Sequence, residues 1–218
     1  NFDIRGILNG TDLRHDVSVA FDDNTADFVR IPEGINLVGK SFTIEFWMKT
    51  QRAYQNECIF SQNTDPENAI QIMLTGNGEV EFQVGDQAYT EDRVNTADII
   101  DEWHHWTFVY DDVRGEAIVM MDGVPLGTGP LSPAYTGYGD AYIGKAMAGD
   151  RYPFKGNLHE LRIWERPRTA SAITANMLIT LSGKETGLIG YWPFDDAYGT
   201  LAVEKVHRRN ATVSAPWD

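Results

Sequence analysis

Three tyrosines, Tyr135, Tyr138 and Tyr152, fall in segments rich in glycine and proline, close to Asp140, Asp150 and Arg151. Aromatic rings on loops can stack on the C–H faces of a sugar, and carboxylates or a guanidinium can fix its hydroxyls. Tyr135, Tyr138, Asp140, Arg151 and Tyr152 are therefore the candidate ligand-binding residues. Two acidic loops could hold a hard cation such as calcium, which takes clustered oxygen ligands. One is Asp22-Asp23-Asn24-Thr25-Ala26-Asp27, with Asp195 from a late strand as a further ligand. It is no EF-hand, because the sixth loop position is Asp27 where that motif needs Gly. The other runs from Asp65 through Glu67 and Asn68, with Asp150 joining it. For both, the alternative reading is a plain turn in which Asp and Asn side chains bond nearby backbone.

Other reactive residue types give less. His104 and His105 are adjacent on a strand, so their side chains point to opposite faces and cannot share one metal. The residue four beyond His159 is Ile163, so no zinc-helix motif follows it. Cys58 is the single cysteine and lies beside Ile59-Phe60, which predicts a buried thiol and excludes an internal disulfide. Glu79 and Glu81 share a strand face beside a tight turn and read as a solvated hairpin face. The Glu-x-Asp-x-Glu and Glu-x-Asp-x-x-Glu strands of jelly-roll glycosidases do not occur, so no catalytic residue is assigned.

The whole chain is acidic. Its 218 residues carry 18 Lys+Arg and 32 Asp+Glu, a formal charge of −14. Residues 1–149 hold 24 acids and 9 bases, a net of −15, while residues 150–218 hold 8 and 9, a net of +1. Such a chain is a poor ligand for phosphate backbones, so nucleic acid is excluded as a partner. No run approaches the ~18 apolar residues of a membrane span, so membrane insertion is excluded too.

The elements that must position these residues are short strands. Ser41 to Lys49 alternates Phe42, Ile44, Phe46 and Met48 with Thr43, Glu45, Trp47 and Lys49, one face for a core and one for something else. Ala69–Leu74 and Glu79–Val84 are joined by Thr75-Gly76-Asn77-Gly78, whose Asn-Gly marks a hairpin. Trp103–Tyr110, a hairpin over Ala117–Leu126, Tyr142–Gly144, Leu158–Trp164 and Leu188–Phe194 complete the set, with Val17–Phe21 and Phe28–Ile31 before them. One helix is predicted after Thr169, whose hydroxyl can cap it, with Ile173 and Met177 on one face to cover a sheet edge. Strands punctuated by turns at this spacing predict an all-β sandwich or barrel.

These blocks, in order, resemble a known family. Val19-Ala20-Phe21-Asp22-Asp23, Ser41–Lys49, Trp103-His104-His105-Trp106-Thr107, Met121-Asp122-Gly123, Gly156–Trp164 and Leu188–Asp195 are similar to the laminin-G-like, concanavalin A-like jelly roll, including pentraxin-like modules. The resemblance implies two antiparallel sheets over residues 17–218, after an N-terminal extension of residues 1–16. It implies a non-catalytic extracellular or cell-surface module within a larger multidomain chain. Its expected partner is a glycan, with calcium at a rim, or a cell-surface protein. The alternative is a protein-binding or structural part of an adhesin, toxin or surface protein. The match departs from pentraxins where their core cysteine pair falls, at Glu45 and Trp106. It departs again in the second ligand loop, where Lys145–Tyr152 offers only Asp150.

Overall fold

The computed structural model describes residues 17–63, 65–133, 135–146, 151–196 and 198–218. Residues 1–16, and Asp150 among the candidate ligands, lie outside them.

Strand alternation builds the core directly. In β3 (Phe42–Thr50) the residues Phe42, Ile44, Phe46 and Met48 face inward, beside Tyr110, Phe108 and Trp106 of the neighbouring β8 (His104–Asp111). Both strands belong to a seven-stranded sheet in the order β1 (Val19–Asp22), β12 (Lys155–Trp164), β3, β8, β9 (Glu116–Met121), β10 (Val124–Pro130). The seventh strand, β13 (Leu188–Trp192), shares the long β12 with β1. A break in register between His159 and Arg162, with Glu160 at φ 58°, separates the part of β12 that pairs with β1 from the part that pairs with β13.

The second sheet has eight strands, β14 (Leu201–Ala202), β15 (Ala211–Val213), β2 (Val29–Ile31), β11 (Ala141–Ile143), β4 (Glu57–Gln62), β5 (Ala69–Leu74), β6 (Val80–Gly85) and β7 (Gln87–Glu91). Every pairing in both sheets is antiparallel. The inward residues Ile70, Ile72, Val80, Phe82 and Val84 of this sheet meet those of the first in one apolar layer. Phe42 lies against Phe82 edge-on at 6.2 Å, bridging the two. The protein is a jelly-roll sandwich. The strands flanking the Asp22–Asp27 loop, β1 and β2, lie in different sheets, so that loop is a crossover between layers.

Three details fix the frame. Gly156 (φ 150°) sits where β12 passes closest to β3, and a Cβ there would lie 2.2 Å from the Lys49 carbonyl oxygen. The two ends of the described chain pair with each other. The N–H groups of Ser18 and Asp218 each donate to the other's carbonyl at 2.7 and 2.8 Å, and Ala20 N–H donates to Pro216.

The third is the helix, α1 (Ala170–Asn176). Thr169 caps it, its hydroxyl accepting from Ala172 N–H at 3.3 Å. It does not cover a sheet edge, as its sequence suggested. Ile173 and Met177 pack on Val109 and Met120, so it lies on the outer face of the seven-stranded sheet. That placement explains the polar alternate face of β3. Trp47 is fully buried there, its Nε1–H donating to the Met177 carbonyl.

Candidate functional site

The outer faces of the two sheets differ in kind. On the seven-stranded sheet, α1 and its flanking segment close over a charged layer. Glu45 accepts from Trp164 Nε1–H at 2.9 Å and from Arg168 Nη1–H at 2.8 Å. Arg162 pairs with Glu160, which also accepts from the Tyr191 hydroxyl at 2.8 Å. Arg162 and Arg168 both donate onto the helix end, at Asn176. Burial raises the carboxyls of Glu45 and Glu160 above their usual range and pushes the His105 imidazole well below its own, so that ring is neutral. The layer is closed to ligands, with Glu45, Trp47, His105, Arg162 and Trp164 each at most 1% exposed.

At the far side of this sheet, beyond α1, lies a shallow apolar groove of about 620 Å³. Its walls include Val109, Ile118, Met120, Pro125 and Pro167, with Arg114 and Glu116 at the rim.

The eight-stranded sheet presents an open polar face. Inward and outward residues alternate along β5 and β6, and the register aligns the outward ones across strands. Thr90, Glu81 and Met73 form one row and Gln83 with Gln71 the next. At the β5–β6 turn this face deepens into a groove of about 410 Å³ lined by Asn56, Gln71, Met73, Thr75, Asn77, Glu79, Glu81, Thr90 and Tyr152. Met73 packs with buried Cys58, its partner across on β4, and with Ala146.

The groove is held in shape from its own rim. Asn56 Oδ1 accepts from Gly76 N–H at 2.7 Å, which fixes the turn, and Asn56 is itself exposed. Glu79 accepts from the Thr75 hydroxyl and from the Asn77 amide. Glu81 is half-buried. Desolvation, and then the charge of Glu79, raise its carboxyl above the usual range. Tyr152 closes one side at φ 57°, anchored by its carbonyl, which accepts from Cys58 N–H at 2.8 Å.

The sequence-based candidates scatter around this groove. Tyr152 lines it, and exposed Arg151 precedes Tyr152, its carbonyl accepting from Ala146 N–H. Tyr138 is 52% exposed on its own loop and does not line the groove. Tyr135 is placed in the core instead. It is 7% exposed, and its hydroxyl accepts from the Gln62 amide. Asp140 is tied to β2, accepting from Arg30 Nε–H at 2.6 Å and Glu33 N–H at 2.8 Å.

The cation candidates do not converge. Among the described residues no three His, Cys, Asp or Glu side chains form a group that could hold a metal. Asp22 pairs with Lys155, Asp23 with Arg52, and Asp195 with Lys205. Asp27 accepts from Asp22 N–H and the Asn24 amide, the local turn chemistry of an Asx-rich loop. Asp65 caps the 3₁₀ turn Pro66–Asn68 through Glu67 N–H, Glu67 is exposed, and Asn68 bonds both N–H and hydroxyl of Thr136. Calcium needs several oxygens at one point, and the side chains of Asp22, Asp23, Asp27, Asp65, Asn68 and Asp195 are engaged with neighbouring groups instead. Glu45 faces out of the core and Trp106 into it, so a cross-link between those positions is barred by direction alone.

Asn56, Gln71, Met73, Glu81 and Thr90 were not among the sequence candidates. For Gln71, Met73 and Glu81 the signal was present as the second, outward phase of β5 and β6, whereas Asn56 and Thr90 lie outside those two strands.

Comparison with known proteins agrees with this architecture. Residues 23–174 match the family described as the concanavalin A-like lectin/glucanases superfamily. No curated protein matches the chain significantly. A candidate carbohydrate binding protein from Bacteroides ovatus superimposes at TM-score 0.74 with 20% identity, over 93% of this chain and 59% of that one. The heptameric SAP-like pentraxin of Limulus polyphemus superimposes at 0.61 with 17% identity, over 94% and 97%. Domain 4 of an extracellular arabinanase from Geobacillus stearothermophilus, solved with arabinotriose, superimposes at 0.58 with 21% identity, over 75% and 78%. The chain thus spans about three fifths of the Bacteroides protein.

Proposed function

The chain belongs to the concanavalin A-like lectin/glucanases superfamily, and on that premise we propose that it is a carbohydrate-binding module whose ligand lies in the groove of the eight-stranded sheet. The observation that carries this is the composition of that groove. Amides (Asn56, Gln71, Asn77), hydroxyls (Thr75, Thr90), an exposed tyrosine and a methionine side chain line one cavity of about 410 Å³. That size falls within the ~300–1,000 Å³ of ordinary small-ligand sites. The amides and hydroxyls match the alternating donors and acceptors of a sugar, and Tyr152 and Met73 meet its C–H faces. The carbohydrate-related neighbours in fold support the reading.

The reading is of binding, not hydrolysis. Glu79 and Glu81 project side by side from one end of β6, two residues apart. A glycosidase needs its carboxylates on either side of the scissile bond. The reading calls on no calcium, since the groove's own amides and hydroxyls can meet the sugar hydroxyls. We place the module outside the cell, as one part of a longer chain, on the family resemblance.

A glycan array followed by calorimetry tests this. Binding is expected with and without EDTA, and Tyr152→Ala and Gln71→Ala are each expected to weaken it at least ten-fold. Binding that ignores both substitutions, or binding to no glycan, would sink the reading. A second reading, a protein-binding or structural module of a surface protein, is favoured by the apolar groove beside α1. It predicts a partner lost on Ile118→Asp and indifferent to Tyr152→Ala.

A further inference from the structure

We propose that the groove selects its glycans by charge, taking neutral or amine-bearing sugars and rejecting uronates, sialates and sulfated sugars. This rests on the carbohydrate reading above and adds the class of ligand.

The argument is the charge inventory of the cavity. Two of its lining residues are acids, Glu79 and Glu81, and none of the described lining residues is Lys or Arg. Three of the bases nearby are committed elsewhere. Arg52 is paired with Asp23 and Glu57, and Lys155 with Asp22. Lys145 donates to the Thr25 carbonyl and sits 3.9 Å over the Phe28 ring. Arg151 precedes Tyr152 but is not a lining residue.

The two carboxylates are also poorly compensated. Glu79 has hydrogen bonds from Thr75 and Asn77, both neutral. Glu81 is half-buried, and among the described residues neither a cation nor a hydrogen-bond donor stands against it. Its carboxyl is already shifted toward the neutral form by burial and by Glu79. A third carboxylate or a sulfate here adds to that repulsion, and an ammonium relieves it. At a few ångströms in a solvent-open groove, the pair is worth roughly ten-fold in affinity against an anionic ligand. The lining thus acts by exclusion as much as by attraction, a common route to specificity.

The test is an array of matched oligosaccharides, one backbone each in neutral, N-acetylated, free-amine and uronate forms, with sialylated and sulfated sets, at low salt. The wild-type protein is expected to bind neutral or amine forms at least ten-fold better than the matched uronate. The variant Glu79→Gln/Glu81→Gln, checked for an unchanged melting curve, is expected to narrow that ratio about ten-fold. Raising the salt is expected to narrow it in the wild type as well. Binding of uronate and neutral forms with equal affinity, or a ratio the double variant leaves unchanged, overturns the charge claim while leaving the carbohydrate reading standing. Binding to no member of the array overturns both.

Discussion

Replacing Arg168 by Met is expected to destabilise the fold by about 3–5 kcal/mol above neutral pH, and by much less near pH 4. Arg168 is 3% exposed at its side chain and Glu45 is 0% exposed. The pair is expensive as it stands. Burial shifts Glu45 up and Arg168 down, each toward its uncharged form, and outweighs the pull of the partner. Oε2 of Glu45 has no hydrogen-bond partner at all. Without Arg168, Glu45 retains Trp164 Nε1–H and the more distant Arg162 Nη1 at 3.8 Å. Arg162 is itself engaged by Glu160. A buried carboxylate stripped of its main partner has its folded-state pKa raised further above the ~4.3 of an unfolded Glu. A group raised in this way contributes stability that is complete below ~4.3 and is lost as pH rises through the folded value. The deficit of the variant relative to wild type therefore grows with pH, at up to ~1.4 kcal/mol per unit, and then levels off. The deficit remaining at low pH measures the lost hydrogen bonds to Ala172 and Asn176 and the lost cover over Trp164. Urea melts from pH 4 to 9, followed by tryptophan fluorescence, give the curve. Glu45→Gln/Arg168→Met should recover most of the pH-dependent part, because no charge is left behind. A deficit of full size at every pH, or a double variant no better than the single one at pH 8, would refute the reasoning.

Three further outcomes are expected. Ile173→Ala should cost about 2–4 kcal/mol in a denaturant melt, because Ile173 is fully buried against Val109 and Met120 and its loss leaves a cavity under α1. Gly156→Ala should cost at least ~2 kcal/mol or prevent folding, since the added carbon meets the Lys49 carbonyl oxygen and β12 is held on both sides. Cys58 should resist a thiol reagent at pH 8 in the native protein and react at once in denaturant, because it is fully buried and its thiol is pushed up to about 12. Rapid native labelling would count against the placement of the β4 floor.

The fold was legible where local chemistry decides it. The Asn-Gly turn gave the β5–β6 hairpin, and the hydroxyl of Thr169 gave the start of α1. The alternation of Ser41 to Lys49 gave a core strand, although it could not say what covers Glu45 and Trp47. That depends on the segment after β12 folding back over the sheet, a contact more than a hundred residues away in sequence. Tyr135 misled for a similar reason. Its loop context suggests exposure, and only the distant Gln62 amide draws it inward. The groove was half legible. Glu79 and Glu81 were recognised as one face of a strand, but their reading as solvated depended on nothing standing opposite. Registered pairing with β5 and β7, and Tyr152 at the side, turned that face into a cavity.

The pairing of residues 18–20 with the C-terminal residues has a mechanical side. Residues 17–20 and 216–218 run antiparallel, so tension applied at 17 and 218 pulls apart the two sides of one ladder from its open end. Hydrogen bonds loaded in that direction break one after another, not together. If the module is strung between others in a longer chain, the C-terminal segment forms a fuse on the edge of β1, which β12 holds along its other side. It would peel before β1 and lengthen the tether, while the groove, on strands β5 to β7 of the opposite sheet, keeps its shape and its grip.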